Sequence, residues 1–125
     1  MITESYSVSF FGLDPRYYSI PIVGNIWNIA SEKVYEETGI RISGDIQESY
    51  VVGQDDEELN NTNIITIDST RIPHEIATPI NYWNAYEMVL EEVRYRLGNP
   101  RMSLTIADID ITHFERAWHE SSGRE

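Results

Sequence analysis

The stretch "ADIDITHFERAWHE", residues 107–120, gathers Asp108, Asp110, His113, Glu115 and His119, the residue types that hold divalent metals or move protons. On an extended chain Asp108 and Asp110 point to the same face, and His113 follows within reach, so these three are the candidate centre of a small metal- or carboxylate-dependent enzyme. A plainer reading competes with that one. Thr112 and Glu115 have the spacing of a capping box, which predicts a short helix from His113 through Trp118. His119 follows His113 by six residues and so misses the i, i+4 spacing of zinc-binding helices.

A second acidic stretch, "VVGQDDEELNNTN" at residues 51–63, sets Asp55, Asp56, Glu57 and Glu58 side by side. A calcium loop needs alternating oxygen ligands, a glycine at its sixth position and a glutamate at its twelfth, because the chain must wrap the ion. This run has adjacent acids and neither landmark. It therefore reads as a solvated connection or as a surface for a basic partner. His74, in "RIPHEIATP", has only Glu75 beside it and reads as an ordinary loop histidine. No G-x-S-x-G elbow, P-loop or G-x-G-x-x-G is present, so neither nucleophilic catalysis nor phosphate cradling is signalled.

The whole chain narrows the classes further. Among 125 residues, 21 acids face nine Lys plus Arg, a formal net charge of −12, and Lys33 is the single lysine. Such a chain repels phosphate backbones and anionic lipid, which excludes direct nucleic-acid and membrane-surface binding as leading readings. Cysteine is absent, which rules out disulfides and thiolate metal sites and fits a reducing compartment. With no signal-peptide pattern and no apolar run approaching the roughly 20 residues of a membrane span, the expectation is a cytoplasmic protein of one domain, 1–125, needing no cofactor.

The elements that must position these residues follow from periodicity. "SYSVSFFGL" predicts a strand over 5–11, ended by Gly12. Ile22, Ile26, Ala30 and Val34, with Ile29 beside them, predict a helix capped by Ser19 and stopped by Gly39. "IRISGDIQESYVVG" and "NNTNIITIDST" predict a hairpin, its first arm bent at Gly44. Trp83, Tyr86, Leu90, Val93 and Leu97 predict a second helix from Thr78 and Pro79 to Gly98, with Glu87, Glu91 and Arg94 on its other faces. In "SLTIADIDI", Leu104 and Ile106 alternate in one phase and Ile109 and Ile111 in the other, which predicts a strand bulged near Ala107 and Asp108.

The order β, α, β, β, α, β, with a last short helix, predicts an α/β fold of the α+β two-layer sandwich type, its mostly antiparallel sheet compatible with a ferredoxin-like arrangement. Trp27, Trp83 and Tyr86 belong to helix stripes, whereas Tyr17, Tyr18, Tyr50 and Tyr82 have no assigned place. Tyrosines beside acids suit a protein-binding surface. The leading expectation is thus an acidic protein-binding module, a stoichiometric inhibitor of a basic protein such as a nuclease-toxin immunity or phage anti-defence protein. Its contact surface would be the 53–63 connection with Asp45, Glu48 and Tyr50, carrying Asp55, Asp56, Glu57 and Glu58. The alternatives are a self-associating assembly protein, pairing through strand edges and the Trp118 helix as a homo-oligomer, and the small enzyme described above.

Overall fold

The computed structural model describes residues 1–56, 62–73 and 75–112. Its elements are β1 (Ile2–Phe11), α1 (Ile20–Thr38), β2 (Asp45–Val51), β3 (Thr62–Thr70), α2 (Pro79–Arg96) and β4 (Arg101–Asp110). Every strand pairing is antiparallel, and the sheet order is β2-β3-β1-β4. Tyr6, Val8 and Phe10 of β1 and Ile65 and Ile67 of β3 share one face and pack with both helices in a single buried cluster. This is the expected α+β two-layer sandwich with the ferredoxin-like strand order.

The helix boundaries follow the capping residues. Ser19 precedes α1 with its hydroxyl accepting from the Ile22 amide, Pro21 lies in the first turn, and Gly39 closes the helix at φ 75°. A side chain would be strained in that left-handed conformation. The buried face is rotated from the predicted one: Val23, Trp27, Ala30 and Val34 are buried, whereas Ile22 and Ile29 are exposed. Steps of four alone drift around a helix of 3.6 residues per turn, and the mixed steps of four and three here hold one face.

Two other expectations are corrected. Ile40 and Ile42 are core residues without being strand, because β2 begins only at Asp45. The Ile42 carbonyl accepts from Trp27 Nε1 at 3.1 Å and Ser31 Oγ at 2.9 Å, so α1 satisfies this backbone where a neighbouring strand otherwise would. A Cβ on Gly44 would lie 2.8 Å from Trp27 Nε1, so the close approach of loop to indole requires glycine there.

The second correction concerns β4, which runs beside β1 in an unbroken register from Ile2↔Asp110 to Phe11↔Arg101 with no bulge. Met102 and Leu104 pack against the core. Ile109 is half-buried on the opposite face, aligned with the buried Thr3. The two hydrophobic phases therefore record a strand partly covered on both sides. The last helix predicted at His113–Trp118 lies outside the described residues, as does His74.

Tyr82, unassigned from sequence, is buried together with Tyr86, and neither hydroxyl has a hydrogen-bond partner among the described residues. Their rings close around Tyr6, with centroids 5.3 and 4.7 Å away. Burial pushes both phenols well above the usual tyrosine value of 10.0, because the phenolate would lose its hydration. A raised acid favours the neutral folded form, so the linked stability is fully present below about pH 10 and lost as pH rises above it. The expected result is a urea midpoint that falls steadily between pH 10 and 12; a flat profile would place these hydroxyls in contact with water.

Candidate functional site

Helix α2 and the edge strand β4 are joined by a tight reversal. After the cap at Leu97, Gly98 at φ 84° and Asn99 at φ 55° both take the left-handed conformation, and the Asn99 amide returns to the Arg94 carbonyl at 2.8 Å. Arg94 Nε donates to the Pro100 carbonyl at 3.1 Å, which fixes the guanidinium over the turn. Between helix and strand lies an open groove of about 250 Å³ lined by Trp83, Glu87, Leu90, Glu91, Arg94, Met102 and Leu104.

The groove combines an apolar floor with a charged rim. Leu90, Met102 and Leu104 supply the floor. Trp83 forms a wall, and its ring is backed by Tyr6 and Tyr86 at 5.9 and 6.2 Å in near-parallel stacks, so the indole is held in place. Glu87 and Glu91, one turn apart, have no ion-pair partner among the described residues. Like charges at i, i+4 weaken a helix by a few tenths of a kcal/mol, a small cost that no local ion pair offsets here.

Arg94 differs from every other described cation. Arg16, Lys33, Arg41, Arg71, Arg96 and Arg101 each lie within 4.0 Å of a carboxylate, from Asp14, Glu92, Glu32, Glu4, Glu92 and Asp56 respectively. Arg94 has no carboxylate partner among the described residues, in a chain with more than two acids per base. A larger groove of about 470 Å³ adjoins the first through Glu91 and runs between the two helices. Its cation, Lys33, is already paired with Glu92, and its ring, Tyr95, stands 73% exposed. The α2–β4 groove has the better-supported aromatic wall and the unpaired cation.

The residues singled out from sequence lie elsewhere. Asp45, Glu48 and Tyr50 are on β2, the opposite edge of the sheet, where Tyr50 is 62% exposed. Asp55 is exposed, Asp56 accepts from Arg101 at 2.9 Å, and Glu57 and Glu58 lie outside the described residues. Asp108 and Asp110 sit near the far end of β4, where Asp110 pairs with the Met1 amino group at 2.6 Å; His113 is outside the described residues. No cluster of three acid or histidine side chains suited to a metal occurs among the described residues.

Nothing in the sequence drew Trp83, Glu87, Glu91 and Arg94 together, because a strand on the far side of a turn completes their groove. Arg94 carried no signal of its own either: Glu91 stands at i−3, a spacing that allows an ion pair, yet the pair that forms on this helix is Glu92–Arg96.

Among the described residues, no helix is long and apolar enough to cross a membrane. No curated protein sequence matches the chain. Two solved structures share the fold. One, a phage SAM lyase in complex with S-methyl-5′-thioadenosine, has a TM-score of 0.52 at 15% identity over 90% of this chain and 91% of its own. The other, a phage SAM lyase in the apo state, has the same TM-score and identity over 86% of this chain and 79% of its own. A family model for SAM lyase matches residues 1–115. The match overturns the expectations of an inhibitor or immunity protein, of an assembly protein and of a basic protein partner, since the related structure is held with a small molecule. Acidity and the lack of a catalytic motif suggested those readings, yet both are compatible with an enzyme whose site is a groove rather than a motif, and the chain belongs to the SAM lyase family.

Proposed function

We propose that this protein cleaves S-adenosylmethionine to S-methyl-5′-thioadenosine in the groove between α2 and β4. The observation that carries the reading is the family match over residues 1–115. The groove supports it chemically. The substrate joins a flat purine to a sulfonium and an ammonium, and Trp83 offers the purine a braced ring to stack on while Glu87 and Glu91 face the two cations. At about 250 Å³ the groove is below the roughly 300–1,000 Å³ usual for enclosed ligand pockets, which suits a nucleoside on the floor with the charged tail on the rim.

A lyase breaks the bond without water. The electron pair of the sulfur–Cγ bond leaves with sulfur, which becomes a neutral thioether, and Cγ takes an electron pair from the substrate's own carboxylate, closing a five-membered lactone. Atoms and charge balance with no added reactant. Sulfonium and carboxylate lose their charges together, so partial desolvation at the rim, beside the apolar floor of Leu90, Met102 and Leu104, favours the step over water, where both charges are well hydrated.

The test is to incubate the purified protein with S-adenosylmethionine in ¹⁸O-labelled water. The expected outcome is one equivalent of S-methyl-5′-thioadenosine per substrate consumed, with no label in the first-formed four-carbon product. Absence of the thioether overturns the activity, and label in that product would make the reaction a hydrolysis.

A further inference from the structure

We infer that Arg94 anchors the substrate's carboxylate and thereby selects full-length S-adenosylmethionine over ligands that lack this group; the inference rests on the proposed function. Arg94 alone among the described cations has no carboxylate within ion-pair distance, although the chain carries 21 acids. Its Nε is engaged by the Pro100 carbonyl, which holds the guanidinium plane at the rim, and no described protein group takes its two Nη groups. A guanidinium left half-occupied at the mouth of a groove matches a carboxylate, for which its donors are spaced.

The charge inventory points the same way. The rim presents two carboxylates, Glu87 and Glu91, and one guanidinium, Arg94. The substrate presents two cations, sulfonium and ammonium, and one anion. The two sets are complementary, and the one cation of the rim has a single partner available on the ligand. Each carboxylate oxygen keeps a lone pair beyond the one that accepts from Arg94, so one oxygen can still close on Cγ and the anchor also sets the conformation from which the bond breaks. The product S-methyl-5′-thioadenosine has no carboxylate, and Arg94 gives it no hold.

The experiment compares ligands on wild type, Arg94→Gln and Arg94→Lys, with melting temperatures recorded for all three. Loss of a charge-assisted hydrogen bond is expected to raise the KM for S-adenosylmethionine about tenfold or more in Arg94→Gln, with inhibition by S-methyl-5′-thioadenosine unchanged within about twofold. Arg94→Lys, which keeps the charge, should recover part of the loss. In binding measurements, wild type should discriminate against the decarboxylated substrate analogue, and Arg94→Gln should lose that discrimination. Equal weakening of both ligands would mean that Arg94 only shapes the groove, and a wild type indifferent to the carboxylate would overturn the inference even if no Arg94 variant folds. Cleavage by wild type with an unaltered KM in Arg94→Gln would overturn it while leaving the proposed activity intact; failure of wild type to bind S-adenosylmethionine would overturn both.

Discussion

Arg71→Met is expected to destabilise the fold by about 2–4 kcal/mol, somewhat under the penalty for breaking a fully buried ion pair from one side, because Glu4 is only half-buried. Arg71 is 7% exposed and follows the last residue of β3. Its Nε and Nη2 reach the two oxygens of Glu4 at 2.6 and 3.1 Å, and Nη1 donates to the Ala77 carbonyl at 3.0 Å. One side chain thereby ties β1, the end of β3 and the loop that leads into α2. Methionine fills similar volume but leaves the Glu4 carboxylate without its counter-charge and the Ala77 carbonyl without a donor. The measurement is the urea midpoint, with the double variant Glu4→Gln, Arg71→Met as control; it should recover a large part of the loss, because the orphaned charge is gone. A single variant within about 1 kcal/mol of wild type would refute the assignment. A pH signature accompanies it. The Arg71 hydrogen bond holds the Glu4 carboxyl below its ordinary 4.5, so this contribution is present above that value and lost as pH falls through the lowered one. The single variant should lack that acid-side loss.

The second large effect is on binding. Trp83→Ala is expected to weaken S-methyl-5′-thioadenosine by about 5- to 150-fold, since stacking of a base on an aromatic ring contributes roughly 1–3 kcal/mol. Trp83→Phe should fall between. The indole also packs on Tyr6 and Tyr86, so part of the alanine effect will appear as a lower melting temperature, and calorimetric titration must be run well below it. The phenylalanine variant keeps a ring against that stack and separates the two contributions. A folded Trp83→Ala protein that binds the nucleoside as wild type does would move the site out of the α2–β4 groove without touching the family assignment.

Much of the fold could be read from the sequence, because its boundaries are written in local chemistry. Ser19, Gly39, Thr78 and Pro79 mark the helix ends where the caps are found, and β-branched density marked β1 and β3. Local reasoning failed where tertiary contacts decide. The carbonyl of Ile42 is satisfied by Trp27 and Ser31, so a segment rich in isoleucine did not need to be a strand. In β4, Ile109 is covered on the face opposite Leu104, and that cover imitated a change of phase. The groove was harder still. Glu87, Glu91 and Arg94 looked like an ordinary solvated helix face, and only the turn at Gly98 and Asn99, which lays Met102 and Leu104 alongside, turns that face into a wall. The acidic run at Asp55–Glu58 drew attention because it is contiguous, whereas the groove residues are spread over three turns of a helix and a strand.

The excess of acids acquires a kinetic meaning once the proposed reaction is written in charges. S-adenosylmethionine carries a net charge of +1 near neutrality; the step leaves that charge on the ammonium of the four-carbon lactone while S-methyl-5′-thioadenosine carries none, so each turnover removes the nucleoside's attraction to a protein of net charge −12. The field that draws the substrate in has no hold on the nucleoside that leaves. Release of the nucleoside is thereby decoupled from substrate capture, and for this product a tight encounter need not become a slow exit.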